Sequence, residues 1–187
     1  FSDTIKIFKV RGEAMQNAVP KGIGGMVAIL GTSIKNIENM LEDNKDDFNI
    51  QIANDNSDSQ IVVSGKLSDL DKFVEILKAQ GIKNIKLPVS APFHSELMGN
   101  ATKIMRDEIN KIDFINGYNV LMSNVTADKM KETSEMKDLL IKQIESRVRW
   151  RESVINMING GVNNFIEIGP GKVLSGLIKR INKDVRV

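Results

Sequence analysis

The 187-residue chain contains a single histidine, His94, set in Val89-Ser90-Ala91-Pro92-Phe93-His94-Ser95-Glu96-Leu97-Met98. An imidazole gains and loses a proton near neutral pH, so it can serve as general base and general acid, and here only His94 can supply one. Its surroundings mark a junction. A strand-like run meets a proline, after which Leu97, Ala101, Ile104, Met105 and Ile112 follow helical spacing. Unpaired N–H groups at a helix start carry partial positive charge, which disfavours imidazolium and leaves the ring ready to accept a proton. A histidine that merely caps or packs at the junction is the alternative.

Two further residues carry possible chemistry. Gln143 lies on the stripe Met136, Leu139, Leu140, Gln143, a polar residue where helix periodicity asks for an apolar one. An unpartnered buried amide costs about 1–3 kcal/mol. Its side chain or adjacent backbone is therefore hydrogen-bonded to something polar, or the helix is rotated and Gln143 is solvated. Arg11 precedes Gly12 in Val10-Arg11-Gly12-Glu13-Ala14-Met15-Gln16. Glycine within a helix costs about 1 kcal/mol relative to alanine, which points to a close approach of backbone or ligand there. An arginine beside such a gap can grip a carboxylate with two parallel N–H donors, unless it lies on a solvated face. Ile168-Gly169-Pro170-Gly171-Lys172-Val173-Leu174 reads as strand, tight turn and helix start, but it has neither P-loop nor dinucleotide spacing and predicts only a turn.

The elements that must position these residues follow from periodicity. A helix over 2–18 is stopped by Pro20 and by Gly22, Gly24 and Gly25. Next come a strand at Met26–Leu30, a helix from Ser33 with Ile34, Ile37 and Leu41, and strands at Phe48–Ala53 and Gln60–Ser64 around a turn-rich 54–58. A helix with Leu70, Phe73, Val74 and Leu77 follows, capped by Ser68 and Asp71 and ended by Gly81, and then a strand at Ile82–Val89. That β-α-β-β-α-β order is the ferredoxin-like split βαβ, an antiparallel sheet with two helices on one face. Beyond it the spacing predicts a helix over 96–112, a strand at Val120–Val125, helices over 134–146 and 151–159, a strand at Asn164–Ile168 and a helix at Lys172–Ile181. This alternation suggests a parallel sheet, and two strands are too few to close its core. The expected class is α/β, with residues 21–89 a small ferredoxin-like subdomain inserted between 1–20 and 90–187 of a larger α/β domain. Because the chain opens on Phe1 and enters a helix at once, it is expected to be a piece of a longer protein.

Composition narrows the functions. With no cysteine and one histidine, disulfides, thiolate nucleophiles and thiolate- or histidine-rich metal centres drop out, and no metal site is expected. A net charge of +2 with signs interspersed, and only one Trp and one Tyr, does not suggest a nucleic-acid binder. No apolar stretch nears the roughly 20 residues that span a bilayer, and no basic-then-apolar N-terminal signal is present. A cytoplasmic location is expected.

Four motifs occur in order: Arg-Gly-Glu-Ala-Met-Gln at 11–16, Phe-His-Ser-Glu-Leu-Met at 93–98, Val-Arg-Trp at 148–150 and Glu-Ile-Gly-Pro-Gly-Lys-Val-Leu at 167–174. With them the chain resembles the C-terminal two-thirds of the bacterial malonyl-CoA:acyl carrier protein transacylases, and its Gln60-Ile61-Val62-Val63-Ser64-Gly65 is similar to their Gln-x-Val-x-x-Gly strand. The resemblance implies an α/β-hydrolase-like acyltransferase that moves malonyl from coenzyme A to the phosphopantetheine thiol of acyl carrier protein through a covalent acyl-serine, in fatty-acid synthesis. It implies that His94 is general base and acid, that Gln143 offers a carbonyl oxygen orienting the imidazole, and that Arg11 pairs with the free carboxylate of malonyl. Phe93 looks like the malonyl-preferring variant, and Asn124 matches a pocket-wall position. This is triad logic with a neutral carbonyl in place of the aspartate. No cofactor is implied, since the coenzyme A thioester is substrate; the implied partners are malonyl-CoA and acyl carrier protein, and the implied state is a monomer.

Departures from the family pattern are specific. No Gly-x-Ser-x-Gly nucleophile elbow occurs in these residues, nor does the glutamine motif that supplies an oxyanion-hole N–H. The chain alone is therefore not expected to form an acyl-enzyme. Asp58 stands where the family commonly has proline after Asn-Ser, which bears only on a loop. Two other readings stay open: a non-catalytic module that binds an acidic carrier protein through Lys142, Arg147, Lys172, Lys179 and Arg180, and the acyltransferase unit of a polyketide synthase.

Overall fold

The computed structural model describes residues 2–115, 119–130 and 132–187. Helix α1, Ser2–Gln16, leads into a four-stranded sheet built from β1 (Gly24–Leu30), β2 (Ile50–Ser57), β3 (Gln60–Lys66) and β4 (Lys83–Lys86), with α2 (Ile34–Asp43) and α3 (Leu67–Ala79) between strands. The spatial order is β2-β3-β1-β4, and every pairing is antiparallel. Period-two alternation decides the two faces. Val27, Ile29, Ile61 and Val63 point into one core with Ile37 and Met40 of α2 and Leu70, Phe73 and Leu77 of α3. Met26, Ala28, Ala53 and Val62 form the opposite face, where Leu87 and Phe93 pack. The expected split βαβ is therefore present, with both helices on one face.

Helix α3 starts differently from the expected capping box. Its first residue is Leu67, whose N–H donates to the Ile23 carbonyl at 2.9 Å, and no side chain caps it. Ser68 turns to its neighbour Asp69 and Asp71 pairs with Lys86 of β4, so one expected capping group is taken locally and the other by a tertiary contact.

After a single 3₁₀ turn at Glu96–Met98, α4 (Gly99–Asn110) packs against α1: Ala14, Met15 and Ala18 share a core with Ala101, Met105 and Ile109 and with Ile141 and Ile144. Then come β5 (Leu121–Met122), β6 (Lys129–Met130), α5 (Thr133–Lys142), α6 (Trp150–Asn159) and α7 (Val173–Ile181). Val154, Ile178 and Val185 close a smaller core between α6 and α7.

The expected strand at Val120–Val125 shrinks to β5, paired antiparallel with β6. The expected strand at Asn164–Ile168 does not form: Asn164 makes an isolated bridge to Arg186, and Ile166 and Ile168 are 87% and 94% exposed. A strand is fixed by its neighbours: the Phe165 N–H donates to the Arg186 carbonyl at 2.9 Å, and no ladder continues past it along 166–168 among the described residues. No parallel sheet exists among the described residues. None of their helices is long and apolar enough to cross a membrane.

Two bulges in β2, at Ile52/Asn54 and Asp55/Ser57, bend this edge strand toward the segment that follows α5. There the Val148 N–H donates to the Ala53 carbonyl at 2.7 Å and the Asp55 N–H to the Val148 carbonyl at 2.9 Å. Arg151 adds a two-pronged bond to the fully buried Asp55 carboxylate, with contacts of 2.9–3.1 Å. The small sheet is thereby bolted to the segment that runs from Gln143 to α6.

Candidate active site

The segment carrying His94 is held from several sides. The Leu87 N–H donates to the Met26 carbonyl, extending β4 along β1. Pro92 lies over Gly24, where a Cβ would come within 2.5 Å of the proline ring, so only glycine fits beneath it. Phe93 packs between the α1–α4 core and the rear face of the sheet. The Ser95 hydroxyl donates to the Pro92 carbonyl at 2.7 Å, and the Gln51 side chain accepts from the Glu96 N–H at 2.7 Å. Gln16 of α1 donates to the Ser90 hydroxyl at 2.7 Å. So clamped, His94 adopts a φ of 58°, a left-handed conformation that costs energy for a β-carbon-bearing residue and clusters at functional sites.

His94 Nδ1 donates to the backbone carbonyl of Gln143 at 2.9 Å. A carbonyl can only accept, so the proton sits on Nδ1 and the Nε2 lone pair is the basic one. Burial pushes the His94 pKa below its ordinary value; the bond to the Gln143 carbonyl works the other way, and the charge of Arg11 adds to the lowering. The neutral ring expected from the sequence is therefore favoured, but by burial and Arg11. The 3₁₀ turn at Glu96–Met98 opens two residues after His94 and runs directly into α4.

Gln143 serves two partners. Its backbone oxygen holds His94, and its side-chain Oε1 accepts from Arg11 Nη2 at 2.8 Å. This settles the alternatives left by periodicity: Gln143 is half-buried and bonded, and Arg11 is turned inward. Arg11 forms no ion pair among the described residues, and burial lowers its pKa without threatening a guanidinium's charge. No described backbone approaches Gly12: nothing lies within 4 Å of a Cβ placed there.

The remaining candidates share no hydrogen bond with this group among the described residues. Asn124 contributes its backbone carbonyl, which accepts from the Arg149 N–H at 2.9 Å, in a tight turn where the Ser123 hydroxyl accepts from the Val125 and Thr126 amides. No hydrogen bond among the described residues links it to His94, Gln143 or Arg11. An open cleft of about 880 Å³ runs between the small sheet and the 143–149 segment, lined by His94, Gln51, Ile52, Val125, Glu145 and Arg147 among others. Of the five basic residues considered for carrier docking, Arg147 is paired with Glu38 at 3.1 Å, Lys179 bonds the Val185 carbonyl and Arg180 reaches Gln60; Lys142 and Lys172 are exposed.

The Gly-Pro-Gly turn proves structural. Glu167 reaches over it to accept from the Leu174 and Ser175 amides and the Ser175 hydroxyl, at 3.1, 2.9 and 2.6 Å. These bonds, the Ser175 hydroxyl first, lower the Glu167 pKa, and its carboxylate fills the anion site that the start of α7 would offer. Sequence reading missed this role, as it missed Gln16 and Gln51; Glu167 eight residues before Ser175 has no short-range capping spacing to betray it. No cluster of three or more potential metal ligands occurs among the described residues.

Known proteins resemble this chain along nearly its whole length. Residues 2–186 match the acyl transferase domain family. The chain is 41% identical over 188 residues to the malonyl CoA-acyl carrier protein transacylase of Bacillus subtilis (strain 168), covering 100% of this chain and 59% of that protein. It is 40% identical to the Staphylococcus aureus (strain MSSA476) protein of the same name, covering 100% and 61%. Among solved structures, a malonyl CoA-acyl carrier protein transacylase from Clostridium perfringens superposes with a TM-score of 0.95 at 43% identity, over 99% of this chain and 58% of that one. A malonyl-transacylase in complex with a type II polyketide-synthase acyl carrier protein superposes with a TM-score of 0.92 at 30% identity, over 97% and 59%. The chain thus spans about three-fifths of the relatives it matches.

Proposed function

The chain belongs to the acyl transferase domain family, and from that premise we propose that it carries the base and the carboxylate-binding group of a malonyl-CoA:acyl carrier protein transacylase of fatty-acid synthesis. The observation that carries the reading is Gln143, which fixes a proton on His94 Nδ1 with its backbone and orients Arg11 with its side chain. In this reading Nε2 of His94 removes the proton from a serine hydroxyl as the oxygen attacks the malonyl thioester carbonyl. The imidazolium then returns that proton to the departing thiolate of coenzyme A. The phosphopantetheine thiol of the carrier protein repeats the sequence against the acyl-serine. Arg11 keeps four N–H donors beyond the one spent on Gln143 and receives the free carboxylate of malonyl.

Residues 21–89 serve as the small subdomain that forms one wall of the cleft, while 1–20 and 90–187 belong to the larger domain. The thioester brings its own activation, so no resident cofactor is needed, and the reaction belongs in the cytoplasm. Phe93 and Asn124 are proposed as pocket residues. The nucleophile is proposed to lie in sequence beyond these 187 residues, which hold no Gly-x-Ser-x-Gly; this chain alone then forms no acyl-enzyme.

The test is malonyl transfer from malonyl-CoA to carrier protein by the whole enzyme that contains this sequence. His94→Ala lowers kcat about 10²–10⁴-fold, and Arg11→Ala raises KM for malonyl-CoA while narrowing the preference over acetyl-CoA. Unchanged transfer in the His94 variant refutes the assignment.

A further inference from the structure

We propose that the carboxylate site at Arg11 and the base at His94 are coupled through Gln143, so that a carboxylate bound by Arg11 makes His94 a stronger base. The inference rests on the reading of Arg11 as the carboxylate site. One residue holds both groups: Gln143 Oε1 takes an Arg11 N–H at 2.8 Å, and its backbone oxygen takes the His94 N–H at 2.9 Å. Arg11 is half-buried and faces no carboxylate among the described residues, so its charge is left uncompensated close to the imidazole.

The other charges near His94 do not share this property. On its own segment Glu96 is exposed; from the 143–149 connection come Glu145, Arg147 and Arg149. Arg147 is neutralised by Glu38 of α2 and Arg149 by Glu152. Arg11 is therefore the one nearby cation of this set without an acidic partner, and its charge opposes formation of imidazolium.

The reaction requires that imidazolium as the serine is deprotonated. A substrate carboxylate seated on the free donors of Arg11 cancels the opposing field without disturbing the Gln143 bonds, and the base strengthens only then. An acyl group without a second carboxylate leaves the guanidinium bare and the imidazole a poor base. Selection for a carboxylate-bearing acyl group is thus exercised in the chemical step as well as in binding. The same device keeps the histidine weak while the site is empty.

His94 is the only histidine, so its ring signals in a ¹H–¹⁵N correlation spectrum need no assignment strategy. The titration is run on this chain alone, with saturating monomethyl malonate, and with methyl acetate as the uncharged control. Because a bound carboxylate cancels the charge that opposes imidazolium, the midpoint rises with monomethyl malonate, and it does not move with methyl acetate. Arg11→Gln raises the midpoint of the free chain and abolishes the response. If monomethyl malonate perturbs the Arg11 side-chain signals while the His94 midpoint stays fixed, the coupling is wrong and the carboxylate site survives. If it perturbs no Arg11 signal, or only those of Arg147 and Arg149, the carboxylate site and the coupling both fail.

Discussion

Replacing Asp55 by alanine removes a carboxylate that is fully buried and gripped by Arg151 through contacts of 3.0, 3.1 and 2.9 Å. The guanidinium is left behind with only 20% of its side chain exposed. Breaking a buried pair on one side typically costs about 3–5 kcal/mol, mostly the penalty of the stranded charge. Arg151 retains Asp58 at 3.3 Å, but that partner is 78% exposed and compensates weakly, so the expected cost is about 2–3 kcal/mol. Urea unfolding of the chain followed by circular dichroism reads this directly, as a lower midpoint at unchanged slope. Arg151→Met in the same background should restore part of the loss, because the stranded cation is then gone; a coupling energy of about 1–3 kcal/mol is expected from the double-mutant cycle. Additive costs, or an Asp55→Ala cost below about 0.5 kcal/mol, would show that the pair does not bolt the small sheet to the Gln143 segment.

Two more outcomes follow from the site's supports. Gly24→Ala drives a methyl to within 2.5 Å of Pro92; the expected cost is about 1–3 kcal/mol, and because Pro92 leads into His94, the His94 ring signals should shift in the same variant, whereas unchanged signals would mean the segment is held by other contacts. Folded-state proton affinity of His94 is depressed, burial being the main cause, so the unfolded chain binds the proton more tightly: the stability is full above the ordinary value of 6.5 and is lost as pH falls from there through the folded value. Tm should therefore drop more between about pH 7.5 and about pH 5 in the native chain than in His94→Asn, and parallel curves would contradict the buried neutral ring.

Legibility in the sequence tracked where partners lie. The ferredoxin-like order could be read because all four strands and both helices fall within one continuous stretch, so alternating and helical periods point at each other. At 164–168 the same apolar signal was present, but no described neighbour completes a ladder, and periodicity says nothing about partners. Ser68 and Asp71 had capping spacing, yet the neighbouring Asp69 took the Ser68 hydroxyl and Lys86 of β4 took the Asp71 carboxylate. His94 stood out by residue type, and Arg11 by its place beside Gly12.

Gln143 shows most clearly why the site itself was only half visible. Its polarity on an apolar stripe signalled a partner, but the expected helix over 134–146 would have given its backbone oxygen to the Arg147 amide, four residues on. The helix instead stops at Lys142; the Ile144 amide turns back to Ile141, and those of Glu145 and Ser146 turn back to Lys142. That tightening leaves the Gln143 carbonyl among the orphan acceptors of a helix end, free for His94 Nδ1. The same early stop sends the following residues across to β2, where Val148 and Arg151 anchor them. The orientation of the base thus depends on where one helix ends, and that end is held by contacts with a sheet some 90 residues earlier in the chain, between Arg151 and Asp55. Local pattern names the residues that can do chemistry; the backbone acceptor that aims His94 exists only once the two parts of the fold have met.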